Sequence, residues 1–254
     1  MRTRIIAIIN QKGGSGKTTT TVNLGACLAG LGKKILLVDI DPQAHTTTHL
    51  GFKPHEIEIT IYDVLINSQP VDKIITKTPI ESLDILPSNV NLSGAEIELV
   101  NIAGRENVLK NRIKEFNNKY DYILIDCPPS LGILTLNALN AAQELFIPIQ
   151  AEFFALEGMT KLLQTIKVVK ERLNGKIEIS GIILTMFDGR KNICRNVTQK
   201  VEEFFKEKVF KTRIRDNVKL AEAPSYGQPV ILYAPRSYGS LDYQELAKEV
   251  LSHA

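Results

Sequence analysis

The chain has 254 residues, 44% of them hydrophobic and 23% charged, with 16 Gly and 11 Pro scattered rather than clustered. Such a composition fits one large α/β core spanning 1–254 as a single domain, and it excludes disordered and collagen-like classes. The formal net charge is only +3, but residues 160–219 hold 15 Lys/Arg against 7 Asp/Glu and the rest 16 against 21, so a local patch can attract phosphates although the whole is nearly neutral.

The first apolar burst, Arg4–Asn10, reads as a strand. Asn10, Gln11 and Lys12 end it too early for a signal-peptide core. No later apolar run reaches the roughly 18–20 residues that span a bilayer, so a cytoplasmic protein without a membrane partner is expected. A helical pattern follows over Thr18–Leu31, then strands at Lys34–Asp39 and Leu83–Leu86, and a helix at Arg105–Asn118. Next come a strand at Tyr120–Asp126, a helix at Leu134–Ala142 and a strand at Leu145–Ile149. Gly158–Leu173, Asn192–Lys208 and Leu241–Leu251 read as helices, with a strand at Ile177–Thr185 between the first two.

Most of these strand runs lack polar alternation, which means burial on both faces and a parallel sheet. Strands and helices in alternation give the expected fold class: α/β, doubly wound, a mostly parallel sheet flanked by helices. Cys27, Cys127 and Cys194 are far apart with no C-x-x-C spacing, so reduced thiols are expected rather than a disulfide or zinc framework. His45 and His49 stand four apart and could share a helix face, but no third ligand lies at metal spacing. They read as solvated histidines.

The strongest signal is Gln11-Lys12-Gly13-Gly14-Ser15-Gly16-Lys17-Thr18-Thr19, set between the first strand and the first helix. Glycines let backbone N–H groups converge on phosphate oxygens, and the helix N-terminus presents its dipole to the same anion. In such a loop Lys17 reaches the β- and γ-phosphates and Thr18 offers its hydroxyl to Mg²⁺. The strict G-x-x-x-x-G-K-[ST] pattern is not met, because its first glycine is replaced by Gln11 and an extra cation, Lys12, follows.

Two strands end in carboxylates, where an open α/β sheet places its ligand crevice. Leu36-Leu37-Val38-Asp39-Ile40-Asp41-Pro42-Gln43-Ala44 ends its strand with two acids, and Tyr120-Asp121-Tyr122-Ile123-Leu124-Ile125-Asp126-Cys127-Pro128-Pro129-Ser130 ends its strand with Asp126. Asp126 fits a Walker B carboxylate that holds Mg²⁺, and the Cys127–Ser130 loop a γ-phosphate sensor. Hydrolysis also needs a group that orients water in line with the leaving phosphate.

The K-G-G-x-G-K-[ST] form resembles the deviant Walker A ATPases, a branch of the P-loop NTPases. The resemblance implies ATP and Mg²⁺ as cofactors and Lys12, Gly13, Gly14, Ser15, Gly16, Lys17, Thr18 and Thr19 as the nucleotide loop. It further implies a homodimer when ATP is bound, with Lys12 crossing to the nucleotide of the partner subunit. Asp41 matches the family's water-orienting aspartate, so Lys12, Lys17 and Asp41 form the catalytic set. Thr18, Asp39 and Asp126 form the metal set.

Further segments extend the match along nearly the whole chain: Gly94-Ala95-Glu96-Ile97-Glu98-Leu99, Ala155-Leu156-Glu157-Gly158, Ala221-Glu222-Ala223-Pro224-Ser225 and Pro235-Arg236-Ser237. Together they resemble the ParA family in its short chromosomal, Soj-type form. An N-terminal helix-turn-helix extension is not expected, since the phosphate loop starts within a dozen residues of Met1. The resemblance implies chromosome or plasmid partitioning by an ATP-switched dimer that binds double-stranded DNA of the nucleoid without sequence preference. A ParB-like centromere-binding protein would release it by stimulating hydrolysis.

For the base, Thr185-Met186-Phe187-Asp188 has methionine where a guanine reader has lysine, which favours adenine. Ile214-Arg215-Asp216-Asn217 resembles the family's I-P-R-N run, whose Pro and Asn border the adenine, so Met186, Arg215 and Asn217 are the candidate base contacts. Arg190 and Lys219 stand where Soj-like proteins carry DNA-contacting basic residues. Arg195 and Arg213 join them on composition alone. The alternative is a MinD-like membrane-cycling ATPase of cell-division positioning, but the stretch from Leu241 to Ala254 has more acids than lysines and no apolar tail. A carboxylate ligase or the nitrogenase iron protein shares the scaffold; the latter needs cluster-ligating cysteines, and Cys127 lacks a suitably placed second cysteine.

Overall fold

A computed structural model describes residues 3–116, 118–152 and 158–253. Its seven strands are β1 (Arg4–Ile8), β2 (Ile35–Asp39), β3 (Thr76–Lys77), β4 (Leu83–Leu86), β5 (Tyr122–Asp126), β6 (Glu144–Gln150) and β7 (Glu178–Thr185). They form one sheet in the order β3-β4-β2-β5-β1-β6-β7, parallel throughout except for β3, which pairs antiparallel with β4. All six expected strands are present to within two residues at each end. The two-residue β3 was not foreseen, because a run that short has no periodicity to read.

Every residue of β2 and β5 is buried, and this explains the missing polar alternation. Leu36, Val38, Ile123 and Ile125 point into one core layer, while Ile35, Leu37 and Leu124 point into the other. The helices are α1 (Lys17–Gly30), α2 (His45–His49), α3 (Ile61–Leu65), α4 (Leu92–Glu98), α5 (Val108–Ile113), α6 (Ile133–Ala141), α7 (Met159–Arg172), α8 (Asn192–Phe205), α9 (Val218–Glu222), α10 (Val230–Tyr233) and α11 (Tyr238–Ser252). On the second layer α1 packs against α11, and the buried hydroxyls of Thr20 and Tyr243 meet at 3.0 Å. The expected helix at Arg105–Asn118 is narrower: α5 is flanked by 3₁₀ turns at Arg105–Asn107 and Lys114–Phe116.

The chain leaves β1 to build β2 on one side and later adds β6 on the other, so the loops at the carboxyl ends of the strands diverge there. Register completes the arrangement. Ile8 and Asp39 both sit opposite Asp126, which brings the end of β1, with its glycine loop, level with two carboxylates.

The histidine reading needs correction. His45 is exposed, but His49 is only 2% exposed, and its Nε2 has no partner among the described residues. It faces inward because α2 lies against the loop at Gly227, where the backbones of Gly51 and Gly227 touch. Burial pushes its imidazole down to about 4, against a smaller raising effect of a backbone hydrogen bond at Gln228. All three cysteines are free and buried, and burial pushes the Cys27 thiol up to about 12.

Candidate nucleotide site

Asn10 shapes the exit from β1, donating from Nδ2 to the Pro148 carbonyl at 2.7 Å and accepting the Lys12 N–H at 3.0 Å. Beyond it the chain turns twice through left-handed backbone, at Gly14 (φ 72°) and Gly16 (φ 91°). The left-handed backbone at Gly16 is what calls for glycine there, since a Cβ would meet Thr185 Cγ2 only at an ordinary contact distance of 3.4 Å. No side chain caps the N-terminus of α1, which leaves its first N–H groups for an anion. Within the loop Ser15 is fully buried, and its Oγ has no partner among the described residues.

Lys17 opens α1 and is buried, with Nζ donating to the Lys12 carbonyl at 3.2 Å. Burial holds its pKa below the usual lysine value, opposed first by the charge of Asp126. Lys12 behaves differently: its side chain is 42% exposed and its ammonium pairs with Glu152 at 2.6 Å.

The carboxylates interlock with a run of threonines. Asp126 Oδ2 accepts from Thr18 at 2.7 Å and Thr46 at 2.8 Å. Asp39 Oδ2 accepts from both the backbone and the hydroxyl of Thr47, at 2.9 and 2.7 Å. Asp39 Oδ1 accepts the Asp41 N–H at 3.2 Å. Both aspartates are fully buried, and burial is the main cause that raises their proton affinity well above the usual carboxylate range. Asp41 reaches the cavity with one oxygen engaged by the Gln43 N–H at 2.9 Å.

A cavity of about 520 Å³ opens over this assembly, lined by Gly13, Gly14, Lys17, Thr18, Asp41 and Pro129 among others. Gly16, Thr19 and Met186 also border a narrower cleft of about 140 Å³, whose far wall is formed by Ile214, Arg215, Asp216, Asn217 and Leu220. The expected base contacts Met186, Arg215 and Asn217 therefore share one cleft next to the phosphate loop. Asn217 Oδ1 also caps α9 by accepting the Lys219 N–H at 3.0 Å.

Residues 3–179 match a family model described as AAA domain (AAA_31). Over 98% of its length the chain is 52% identical to the sporulation initiation inhibitor protein Soj of Bacillus subtilis, covering 99% of that protein. It is 47% identical to the chromosome partitioning protein ParA of Myxococcus xanthus, again over 98% of this chain and 88% of the relative. The chain belongs to the Soj/ParA family of chromosome-partitioning ATPases. Among solved structures, cobyrinic acid a,c-diamide synthase from Mycobacterium smegmatis with bound ADP and magnesium has a TM-score of 0.87 and 34% identity over 99% of this chain and 95% of that one.

For a Soj/ParA chain the four basic residues expected to meet DNA have instructive surroundings. Arg190 is 91% exposed and is gripped by Asp188 through Nε and Nη2, both at 2.9 Å. Arg195 donates to the Gly189 carbonyl at 2.9 Å. Arg213 pairs with Glu202 and lies 5.2 Å from the Phe187 ring centroid, and Lys219 pairs with Glu222 at 2.7 Å. The matching segment Ala155-Leu156-Glu157 lies outside the described residues.

Several residues of this ParA-type site escaped sequence reasoning. Thr46 and Thr47 hold Asp126 and Asp39, yet they sit in a polar run with no apolar period, so the short α2 that carries them went unseen. Their signal was the Thr46-Thr47-Thr48 run itself, a few residues past the strand-end acids. Glu152 had no signal before its ion pair with Lys12 was known.

Proposed function

We propose that this Soj/ParA chain binds Mg·ATP in the cavity between the glycine loop and Asp41, hydrolyses it, and in the triphosphate state closes into a homodimer that holds duplex DNA. The observation that carries this reading is the meeting of Lys17, Thr18, Asp41 and Asp126 at the carboxyl ends of adjacent parallel strands.

The residues suit Mg²⁺. Thr18 and Asp126 offer hard oxygen donors, and no three His, Cys, Asp or Glu side chains among the described residues are placed to hold a metal ion by themselves. That pattern fits an ion that takes one or two protein oxygens and fills its other positions with water and phosphate. Mg²⁺, when bound, supplies neutralisation of charge on the β- and γ-phosphates. Asp39 stands behind, held by Thr47, and supports the carboxylate arrangement.

Within this cavity Lys17 neutralises the terminal phosphates, and the uncapped start of α1 donates backbone N–H groups to them. Ser15 and the open space above Gly13 and Gly14 complete a cradle that a Cβ would fill. Asp41 orients the attacking water; one of its oxygens is fixed by Gln43, and no described residue donates to the other. Lys12, tethered at the mouth of the site, crosses to the nucleotide of the second copy.

Pairing two subunits brings together two segments that each carry 15 basic against 7 acidic residues. Non-specific DNA affinity rises steeply with the number of phosphates neutralised, so the dimer grips where a single subunit does not. Arg190, Arg195, Arg213 and Lys219 supply that contact, and a ParB-like centromere-binding protein ends it by stimulating hydrolysis. The cell site of this cycle is the cytoplasm, on the nucleoid. A MinD-like membrane cycle is disfavoured, because the apolar side of α11 (Tyr243, Leu246, Ala247, Val250) is buried in the core. No helix among the described residues is long and apolar enough to cross a membrane.

A salt-dependent DNA-binding titration with ATP, ADP and no nucleotide tests the reading. Wild type is expected to bind with ATP alone, Lys17→Ala and Gly13→Val not at all, and Asp41→Ala persistently without turnover. Equal affinity in all nucleotide states would overturn it.

A further inference from the structure

The 140 Å³ cleft beside the phosphate loop is closed by an ion pair that reaches in from α11. Asp242, 7% exposed, accepts the Arg215 backbone N–H at 2.9 Å and the Arg215 Nε at 3.0–3.1 Å through both carboxylate oxygens. The guanidinium then lies over the Tyr238 ring, with Cζ 4.1 Å from the centroid. Asp242 thus fixes the main chain and the side chain of Arg215 together. The next residue on α11, Tyr243, lines the same cleft, so the clamp and the cleft are parts of one unit.

The main chain on either side of Arg215 is tied to the opposite wall by backbone bonds, from the Ile214 N–H to the Leu184 carbonyl at 2.8 Å, from the Phe187 N–H to the Ile214 carbonyl at 3.0 Å and from the Asp216 N–H to the Phe187 carbonyl at 3.2 Å, next to Met186 in left-handed backbone (φ 50°). The Arg215 N–H itself is held by the Asp242 carboxylate. Remove the carboxylate, and Arg215 loses a charge-assisted anchor while its backbone N–H loses its acceptor. Ile214 stays anchored to Leu184 and Phe187, but Arg215 and the wall that continues from it through Asn217 lose the contact that fixes their position against Met186, and the cleft widens at that point. The phosphate loop, held separately by Asn10, Thr185 and α1, is untouched.

We infer that Asp242 is a positioning residue for recognition of the nucleotide base: it clamps Arg215 and with it the wall formed by Asp216 and Asn217. The inference rests on the nucleotide reading of the adjoining cavity. It carries a sharp consequence, because a clamp on the base cleft affects only ligands that have a base.

Equilibrium binding of ATP and of inorganic tripolyphosphate, measured on wild type, Asp242→Ala, Arg215→Ala and the double variant, separates the possibilities. Asp242→Ala is expected to weaken ATP about ten-fold and leave tripolyphosphate unchanged, since misplacing one wall costs only the contacts on that wall. Arg215→Ala should give the same selective loss, and the double variant, which leaves no unpaired carboxylate behind, should lose little more than either alone. Equal weakening of both ligands, or no loss for ATP, would overturn the inference while leaving the nucleotide site intact. A wild type that binds neither ligand would overturn both.

Discussion

The ammonium of Lys12 lies 2.6 Å from Glu152 Oε2, joining the phosphate loop to the segment that follows β6. Both side chains are about half exposed, so the pair is screened and worth only about 0–1 kcal/mol. In the proposed dimer Lys12 leaves this carboxylate for a nucleotide on the other subunit, and so weak a tether hardly opposes that. Glu152→Gln is therefore expected to change the ATP-dependent dimer dissociation constant by no more than about five-fold, whereas Lys12→Ala abolishes the dimer. Fluorescence-detected dimer titration checks this. A hundred-fold change in Glu152→Gln would mean that the carboxylate does more than hold the lysine.

His49 gives a pH dependence. Its folded imidazole titrates at about 4, below the ordinary value of 6.5, so the folded state binds fewer protons than the unfolded chain between those values. The resulting contribution is intact above pH 6.5 and is lost as the pH falls toward 4, up to about 3 kcal/mol in all. His49→Gln should flatten the stability profile in that window. Urea unfolding at several pH values reads the difference, and parallel profiles for variant and wild type would place the histidine in a solvated setting.

Gly227 meets Gly51 backbone to backbone. A Cβ on Gly227 would sit 2.5 Å from the Gly51 Cα, at a φ of 63° that already disfavours other residues. The neighbour is main chain and cannot rotate away. Gly227→Ala should cost about 2–4 kcal/mol, lowering Tm by about 5–15 °C in a scanning calorimeter.

Asp188 holds Arg190 in a two-bond grip, and the guanidinium in turn pulls the Asp188 carboxyl down to about 2. The acid competes with DNA phosphate for the same cation. Asp188→Asn should tighten ATP-dependent DNA binding a few-fold, and Arg190→Ala should reduce the slope of log affinity against log salt by about one. An unchanged slope in Arg190→Ala would remove that residue from the DNA interface.

The sheet could be read from the sequence because burial on both faces leaves unbroken apolar runs, as in β2 and β5. The glycine loop and the strand-end acids were legible for a related reason: Gly14, Gly16, Lys17 and Asp126 each answer a local chemical demand. What escaped depends on tertiary contact. The five-residue α2 and α9 are too short for a period, so Thr46 and Thr47 gave no hint that they grip the two buried aspartates. His49 looked like any polar neighbour until the Gly51–Gly227 contact turned it inward. Arg215 broke the expected pattern, and its partner Asp242 lies 27 residues further on, beyond the reach of any local signal.

Whether a bound triphosphate joins two copies is read most directly by sedimentation velocity on hydrolysis-blocked Asp41→Ala protein with ATP, ADP or no nucleotide. A shift from one subunit to two is expected with ATP alone, and is lost when Lys12→Ala is added. Sedimentation as a single subunit at saturating ATP would contradict the dimer, and with it the coupling of nucleotide to DNA.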